Sequence, residues 1–283
     1  MQTGQPDERT IEELAGFFRG VVLDIFGVLH DGTRLYQPVH AALTRMRAAG
    51  MRICLLSNAP RRAGAVESRL SDMGLGPDLY HGLITSGEMT RAAFAGGATF
   101  PVPGGRRYWH AGPAELADLL DGLALEPVAR IEEADFILAT GNMEKGDDLL
   151  RQARQKALPM VCANPDLEVM IARQRMLCAG SLAARYEAIG GRVIRFGKPE
   201  ASAYTSALQV LDLPATEVIA IGDSLATDIS GANQAGISSA LVMTGVHHAE
   251  ACRNNAPDHK ALAALYEQYQ AVPDFLLQRF SWA

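Results

Sequence analysis

The hydrophobic positions of this chain fall into short apolar runs that alternate with amphipathic stretches. Residues 20–23 and 52–56 are apolar runs, and the stretches 38–49 and 60–73 that follow them carry apolar residues at helical spacing. Apolar runs without polar alternation are typical of strands buried on both faces of a parallel sheet. The order strand, loop, helix, strand predicts right-handed crossovers, and therefore an open parallel sheet.

The same pattern returns in the last third of the chain. Strand candidates at residues 191–196, 217–221 and 239–243 alternate with helical stretches at 201–211 and 229–235. In each half, polar residues come directly after the predicted strands. Because ligands bind beyond the carboxyl ends of parallel strands, we expect these side chains to meet at one edge of the sheet. They are Asp24, Ser57, Lys198 and Asp223.

A long insertion separates the two halves. About 140 residues lie between Ser57 and Lys198, whereas a parallel crossover needs about a dozen or more. The insertion has strand candidates of its own, at residues 106–109, 135–140 and 159–163. We therefore predict a smaller α/β domain over residues 82–185, inserted into a discontinuous core domain of residues 1–81 and 186–283.

Composition and charge exclude several function classes. Hydrophobic residues make up 48% and charged residues 20%, as in ordinary globular proteins. No apolar run approaches the roughly 18 residues of a membrane helix, so no membrane partner is expected. The 26 basic residues are dispersed among 32 acidic ones, which argues against nucleic-acid binding. The amino terminus lacks the pattern of a secretory signal, so we expect a cytoplasmic protein, and no segment indicates an oligomeric state.

The polar residues at the predicted strand ends suit phosphate chemistry. An aspartate at such an end can attack phosphorus once the charge of the phosphate is neutralised. Asp223 and Asp228 suit a shared cation, and Mg²⁺ is favoured because it takes oxygen ligands from carboxylates and substrate phosphates. Lys198 offers a fixed positive charge, and Ser57 and Asn58 offer donors at a helix N-terminus. Singly, such residues are usually caps or turns; together they favour a phosphate site.

In order and content, these motifs resemble the four motifs of the haloacid dehalogenase (HAD) superfamily. The insertion, with Ala163-Asn164-Pro165-Asp166, resembles the C2-type cap of subclass IIA, the NagD and p-nitrophenylphosphatase-like branch. The resemblance spans residues 20–247 and implies an α/β fold: a Rossmann-like parallel-sheet core with an α/β cap between motifs II and III. The motifs are Asp24-Ile25-Phe26-Gly27-Val28-Leu29, Leu55-Leu56-Ser57-Asn58, Gly197-Lys198-Pro199 and Gly222-Asp223-Ser224-Leu225-Ala226-Thr227-Asp228-Ile229.

By position, the resemblance implies a Mg²⁺-dependent phosphohydrolase that acts on a small phosphorylated metabolite. Asp24 would be the nucleophile, forming an aspartyl-phosphate, and also a metal ligand. The backbone carbonyl of Phe26 and the carboxylate of Asp223 would be further ligands, with Asp228 supporting the ion indirectly or through water. The catalytic residues would be Asp24, Ser57 and Lys198.

The resemblance also implies residues that hold the substrate. Ser57, Asn58 and Lys198 would bind the transferring phosphoryl group. The cap would close over the substrate and set its specificity. Candidates for substrate contact are Asn164, Asp166 and His247.

Phe26 departs from the family pattern. Phosphatases of this superfamily ordinarily carry an aspartate there, which protonates the leaving alcohol and later activates water. A phenyl ring does neither, and losing such a group typically lowers the rate by about 10²–10⁴-fold. Candidate substitutes are His30, Asp31, His247 and His248.

Because of this departure, two functions other than that of an efficient phosphohydrolase remain open. One is a catalytically weak protein that binds a phosphorylated metabolite as a sensor or regulator. The least favoured is a dehalogenase, whose family position two residues after the nucleophile is aromatic. The acidic pair Asp223 and Asp228 and the large insertion favour phosphate over dehalogenase chemistry.

Overall fold

Strands and helices alternate along most of the chain. The computed structural model describes residues 6–96, 100–144, 146–171, 174–253 and 256–283. The strands described, in chain order, are β1 (Asp7–Glu8), β2 (Gly20–Leu23), β3 (Arg52–Ser57), β4 (Gly82–Thr85), β5 (Arg107–Ala111), β6 (Glu126–Val128), β7 (Phe136–Ala139), β8 (Met160–Cys162), β9 (Glu168–Ile171), β10 (Gln174–Leu177), β11 (Val193–Arg195), β12 (Val218–Gly222), β13 (Ser238–Val242), β14 (Cys252–Arg253), β15 (Ala256–Pro257) and β16 (Phe275–Leu277).

The helices cover the faces of the sheets. The α-helices described are α1 (Ile11–Phe17), α2 (Val39–Ala48), α3 (Ala63–Asp72), α4 (Ser86–Ala95), α5 (Asp147–Gln155), α6 (Ala179–Ala188), α7 (Ala201–Leu211), α8 (Ser230–Gln234), α9 (His248–Ala251) and α10 (His259–Tyr269). A π-helical turn spans Leu225–Ile229. In the described part of the chain, no helix combines the length and the apolar composition that crossing a membrane requires.

The larger sheet has seven strands in the order β1-β16-β13-β12-β2-β3-β4. All neighbouring strands in it run parallel. Strands β2 and β12 are buried along their whole length, as their uninterrupted apolar runs predict. Because β12, β2 and β3 are neighbours, their carboxyl ends bring Asp223, Asp24 and Ser57 to one edge. The predicted α/β class with a parallel-sheet core is confirmed.

A second sheet is built from strands that lie between Arg107 and Arg195. It has five parallel strands in the order β11-β8-β7-β5-β6. Its own hydrophobic clusters surround side chains such as Phe136, Ile137 and Tyr186, which are fully buried. The antiparallel hairpin β9–β10 follows β8, and its Arg175 contacts Glu250 of α9.

The strands of the two sheets change over at positions in the chain that differ from the predicted boundaries of the insertion. Strand β4 at 82–85, assigned by the prediction to the insertion 82–185, pairs with β3 in the larger sheet. Strand β11, assigned to the core segment 186–283, pairs with β8 in the smaller sheet. A short apolar run predicts a strand but not which of two sheets the strand joins. We propose that the inserted domain begins within α4 and ends at β11.

Candidate active site

Three aspartates converge at the carboxyl edge of the larger sheet. Asp24 follows β2, Asp223 follows β12, and Asp228 lies in the turn Leu225–Ile229. One carboxylate oxygen of each lies within 4.8 Å of the other two. Asp24 and Asp228 are only 7% and 4% exposed, respectively. The structure therefore brings together the three carboxylates that the sequence singled out.

Lys198 also lies beside these carboxylates, but the sequence did not predict which sheet positions it. It follows β11 of the smaller sheet rather than a strand of the larger one. Its buried Nζ nevertheless donates to Asp24 Oδ1 at 2.5 Å and to Asp228 Oδ1 at 2.6 Å. Asn58 holds its backbone from both sides, because Asn58 Oδ1 accepts the Lys198 N–H at 2.8 Å and Asn58 Nδ2 donates to the Lys198 carbonyl at 3.0 Å.

Three glycines make room for the carboxylates. A Cβ atom at Gly27 or at Gly245 would overlap the carboxylate of Asp223, and one at Gly222 would overlap that of Asp228. Gly27 also has a φ of +81°, a conformation that side chains disfavour. The N–H of Val246 donates to Asp223 Oδ2 at 2.8 Å, so the loop after β13 fixes this carboxylate.

Burial and mutual repulsion set the charge of the site. Burial raises the pKa of Asp24 to about 7, against the attraction of Lys198. Burial and the charge of Asp24 also raise the pKa of Asp223 well above its usual range. Burial alone would lower the pKa of Lys198, but the charges of Asp228 and Asp24 outweigh it and raise that pKa well above its usual value. Three carboxylates thus face a single ammonium group.

This donor set fits a divalent cation. Carboxylate oxygens are the ligands that Mg²⁺ prefers, and one or two of them usually suffice. Buried carboxylates in excess of positive charge are costly, so a dication would stabilise them. Asp24 and Asp223 could hold it directly, because Asp228 is already engaged by Lys198 and by the Ser224 N–H at 3.1 Å.

Ser57 lies beside the site but does not line its cavity. Its side chain is 6% exposed, and its Oγ accepts the Ala59 N–H at 3.2 Å. The hydroxyl proton therefore remains available for another acceptor. Asn58, besides holding Lys198, donates through Nδ2 to Asp166 Oδ1 at 2.8 Å.

A cavity of about 620 Å³ lies above the carboxylates. Asp24, Asp223 and Lys198 lie at its base, and Asp166 and the hairpin β9–β10 contribute one wall. His247 also lines it, whereas Asn164 does not. Instead, Asn164 Oδ1 accepts the Asp166 N–H at 3.1 Å and so fixes the turn that carries Asp166.

The rim of the cavity contains residues that the sequence did not single out. Arg175 of β10 forms ion pairs with Glu168 at 3.3 Å and with Glu250 at 3.3 Å. Tyr269 of α10 also lines the cavity, edge-on to His247. Arg175, Glu250 and Tyr269 come from separate segments of the chain and belong to no motif, so only the tertiary structure reveals their proximity.

The Phe26 ring lines the cavity, and His30 packs against it edge-on with ring centroids 5.1 Å apart. His30 does not line the cavity; its Nδ1 accepts the Gly32 N–H at 2.9 Å, and burial lowers its pKa to about 4. Asp31 is engaged in a local turn, accepting from the Thr33 hydroxyl at 2.6 Å.

The two remaining candidate substitutes lie after β13. The Nε2 of His247 accepts the Leu225 N–H at 3.1 Å. The Nδ1 of His248 lies 2.7 Å from the Met243 carbonyl, and His248 does not line the cavity. Both rings are thus engaged with the backbone through one nitrogen.

The close approach of Gly245 to the Asp223 carboxylate leads to a testable prediction. Gly245→Ala should displace the Asp223 carboxylate, so we expect Mg²⁺ affinity to fall by about 10- to 100-fold. Gly64→Ala is the matched control, because a Cβ there meets no atom within 4 Å. Isothermal titration of both variants with Mg²⁺ tests this, and unchanged affinity in Gly245→Ala would contradict the placement of Asp223 at a metal site.

Comparison with known families gives two matches along the chain. The family model described as haloacid dehalogenase-like hydrolase matches residues 21–126. A second, described as HAD-hydrolase-like, matches residues 195–267. The two matches include Asp24, Ser57, Lys198 and Asp223.

Two similar proteins of known activity are phosphatases. D-glycerol 3-phosphate phosphatase of Mycobacterium tuberculosis is 30% identical over 238 residues, which are 81% of this chain but 64% of that protein. The chain therefore spans less than two thirds of that relative's length. Ribonucleotide monophosphatase NagD of Escherichia coli is 26% identical over 239 residues, covering 81% of this chain and 88% of NagD.

Solved structures share the fold over nearly the whole chain. A hydrolase of the haloacid dehalogenase-like family from Brucella suis superimposes with a TM-score of 0.81 at 30% identity, covering 97% of this chain and 99% of that one. The glycerol phosphate phosphatase of Mycobacterium tuberculosis in complex with magnesium superimposes with a TM-score of 0.68 at 26% identity, covering 93% of this chain and 76% of that one.

Proposed function

Because the chain belongs to the haloacid dehalogenase superfamily of hydrolases, in the NagD and p-nitrophenylphosphatase-like subclass IIA, we propose that it is a Mg²⁺-dependent phosphohydrolase. It acts on a small phosphorylated metabolite through an aspartyl-phosphate at Asp24. The observation that carries this proposal is the convergence of Asp24, Asp223 and Lys198 at the base of one cavity.

The ion would be held by Asp24, Asp223 and the backbone carbonyl of Phe26, and when bound it neutralises and orients the substrate phosphate. Lys198 adds a fixed positive charge beside Asp24, and Asp228 and Asn58 hold it there. The Ser57 hydroxyl would donate to the same phosphoryl group. Most of the catalytic effect would come from preorganised charge and donors around the transferring group.

The reaction itself takes two displacements at phosphorus. A carboxylate oxygen of Asp24 forms a bond to phosphorus while the bond to the leaving oxygen breaks. Water then attacks the aspartyl-phosphate, releasing inorganic phosphate and restoring Asp24. Splitting hydrolysis in this way is the general advantage of a covalent nucleophile.

The substrate is proposed to be small. The cavity of about 620 Å³ is within the range of about 300–1,000 Å³ typical of small-molecule sites. By their names, the relatives act on glycerol 3-phosphate and on ribonucleotide monophosphates, and the mycobacterial enzyme binds magnesium. These activities support a phosphorylated metabolite as the substrate of this chain.

The presence of Phe26 in the cavity supports a second candidate function. Its ring lines the cavity where the family ordinarily carries a carboxylic acid. A site that retains the charges for phosphate binding but lacks a proton donor would bind a phosphorylated metabolite and turn it over slowly. Such a protein would serve as a sensor or regulator.

Phosphate release over a panel of sugar phosphates, nucleotides and acyl phosphates with Mg²⁺ separates the two candidates. If the protein is a phosphohydrolase, it should turn over at least one compound many times, and chelation of Mg²⁺ should abolish this turnover. Calorimetric binding of a panel compound without turnover would support the sensor instead. If no compound of the panel is bound or turned over, both candidate functions are contradicted.

A further inference from the structure

Cleavage of a phosphate ester requires a proton for the leaving oxygen, and Phe26 offers none. Besides the four charged residues already assigned to the metal and the phosphoryl group, other titratable side chains in the described part of the chain line the cavity. They are Asp166, Glu168, Arg175, His247, Glu250 and Tyr269.

Most of these groups are already engaged. Glu168 and Glu250 are both ion-paired with Arg175, at 3.3 Å in each case. His247 uses Nε2 to accept the Leu225 N–H, and its Nδ1 faces Glu250 at 4.0 Å.

Tyr269 is a poor proton donor. Its side chain lies against the His247 ring, and burial raises the pKa of its hydroxyl further above neutrality. Asp166 differs from Glu168 and Glu250 in that its carboxyl group accepts hydrogen bonds from Asn58 and Thr227, whereas those two are ion-paired with Arg175.

On the basis of the phosphohydrolase function above, we propose that Asp166 is the general acid and base that Phe26 cannot be. In-line attack by Asp24, at the base of the cavity, sends the leaving oxygen into the cavity that Asp166 also lines. Asp166 is tied directly to the motif residues, since Asn58 bonds both to it and to Lys198.

Asp166 is held in place by three hydrogen bonds, two made by its backbone and one by its carboxyl group. Its N–H donates to Asn164 Oδ1 at 3.1 Å, its carbonyl accepts the Gly180 N–H at 3.1 Å, and its Oδ1 accepts Asn58 Nδ2 at 2.8 Å. A Cβ atom at Gly180 would overlap the carbonyls of Pro165 and Asp166, so this close approach requires glycine. Acid–base catalysis needs such fixed geometry.

The charges that face Asp166 suit a group that exchanges protons. Burial raises the pKa of this carboxyl group above its usual range, and the charge of Asp228 adds to the effect. Lys198 and the hydrogen bonds from Asn58 and Thr227 act in the opposite direction. A carboxylic acid tuned upward toward the working pH is the ordinary form of an enzymatic proton donor.

The proton transfers balance over the two displacements. As the bond from Asp24 to phosphorus forms, the leaving oxygen takes the proton of Asp166 and departs as an alcohol. The resulting Asp166 carboxylate then accepts a proton from the water that attacks the aspartyl-phosphate. Release of phosphate restores both carboxyl groups to their starting states.

The test compares two substrates that differ in leaving-group acidity. Phenyl phosphate needs protonation of its leaving oxygen far more than p-nitrophenyl phosphate does. Asp166→Asn should lower kcat/KM for phenyl phosphate by about 10²–10⁴-fold and for p-nitrophenyl phosphate by less than about 10-fold. The ratio of the two effects is independent of the fraction of folded variant, so partial misfolding does not obscure it.

Two further variants complete the test. Phe26→Asp in the Asp166→Asn background should recover phenyl phosphate turnover by about 10-fold or more, because it restores a carboxyl group to the cavity. Glu168→Gln, two residues from Asp166 and ion-paired with Arg175, should leave the ratio between the two substrates unchanged.

An equal loss on both substrates in Asp166→Asn would assign Asp166 a purely structural role and overturn the inference, leaving the phosphohydrolase intact. If the unmodified protein with Mg²⁺ turns over neither aryl phosphate nor any compound of the panel, the proposed function fails, and the role of Asp166 with it.

Discussion

Asp24→Asn is expected to lower kcat by about 10⁴-fold or more, because an amide cannot form the covalent bond to phosphorus. Stability should be kept or increased: asparagine is of similar size, and the change removes one of the three converging carboxylates, whose pKa burial raises. Phosphate release under saturating substrate, with thermal unfolding as the check on folding, measures both effects. Residual activity above about one hundredth of the original would contradict a nucleophilic role.

Lys198→Met is expected to have the largest effect on stability. It would leave Asp24 and Asp228 without the ammonium group that contacts both at 2.5 and 2.6 Å. Removing one partner of a buried ion pair typically costs about 3–5 kcal/mol, so the free energy of unfolding at pH 7 without metal should fall by about that amount.

The loss in Lys198→Met should depend on pH. Burial already raises the folded-state pKa of Asp24 to about 7, above its unfolded value, and loss of Lys198 would raise it further. Protonation therefore favours the folded state, and the deficit should shrink as the pH falls from 7 to 5.

Urea unfolding at the two pH values measures this dependence, with exposed Lys260→Met as a control that should change stability by less than about 0.5 kcal/mol. An equal deficit at both pH values would contradict the assignment of the loss to unpaired carboxylates.

The sequence predicted the fold class because burial on both faces leaves a clear pattern. Strands β2, β3 and β12 are almost wholly apolar, and each is followed by polar residues. The assignment of strands to sheets was less predictable. Residues 82–85 and 193–195 have the composition of buried strands, which fits either sheet, and their partners are chosen by packing with distant segments.

The motif residues were predictable for the same reason, since neighbouring parallel strands end at one edge. Asp24, Asp223 and Asp228 lie together as expected, and Lys198 joins them although it follows a strand of the other sheet. The walls of the cavity were not predictable. The contact of Arg175 with Glu250 joins the hairpin β9–β10 to helix α9, 75 residues away in sequence, and no local pattern encodes it.

The proposed function depends most on covalent attack by Asp24, and trapping the intermediate tests that attack directly. Acid quenching during turnover, followed by borohydride reduction, converts an aspartyl-phosphate to homoserine, which peptide mass spectrometry locates. We predict homoserine at residue 24, only when both substrate and Mg²⁺ are present. Turnover without any such modification, or with the modification at another aspartate, would contradict Asp24 as the nucleophile.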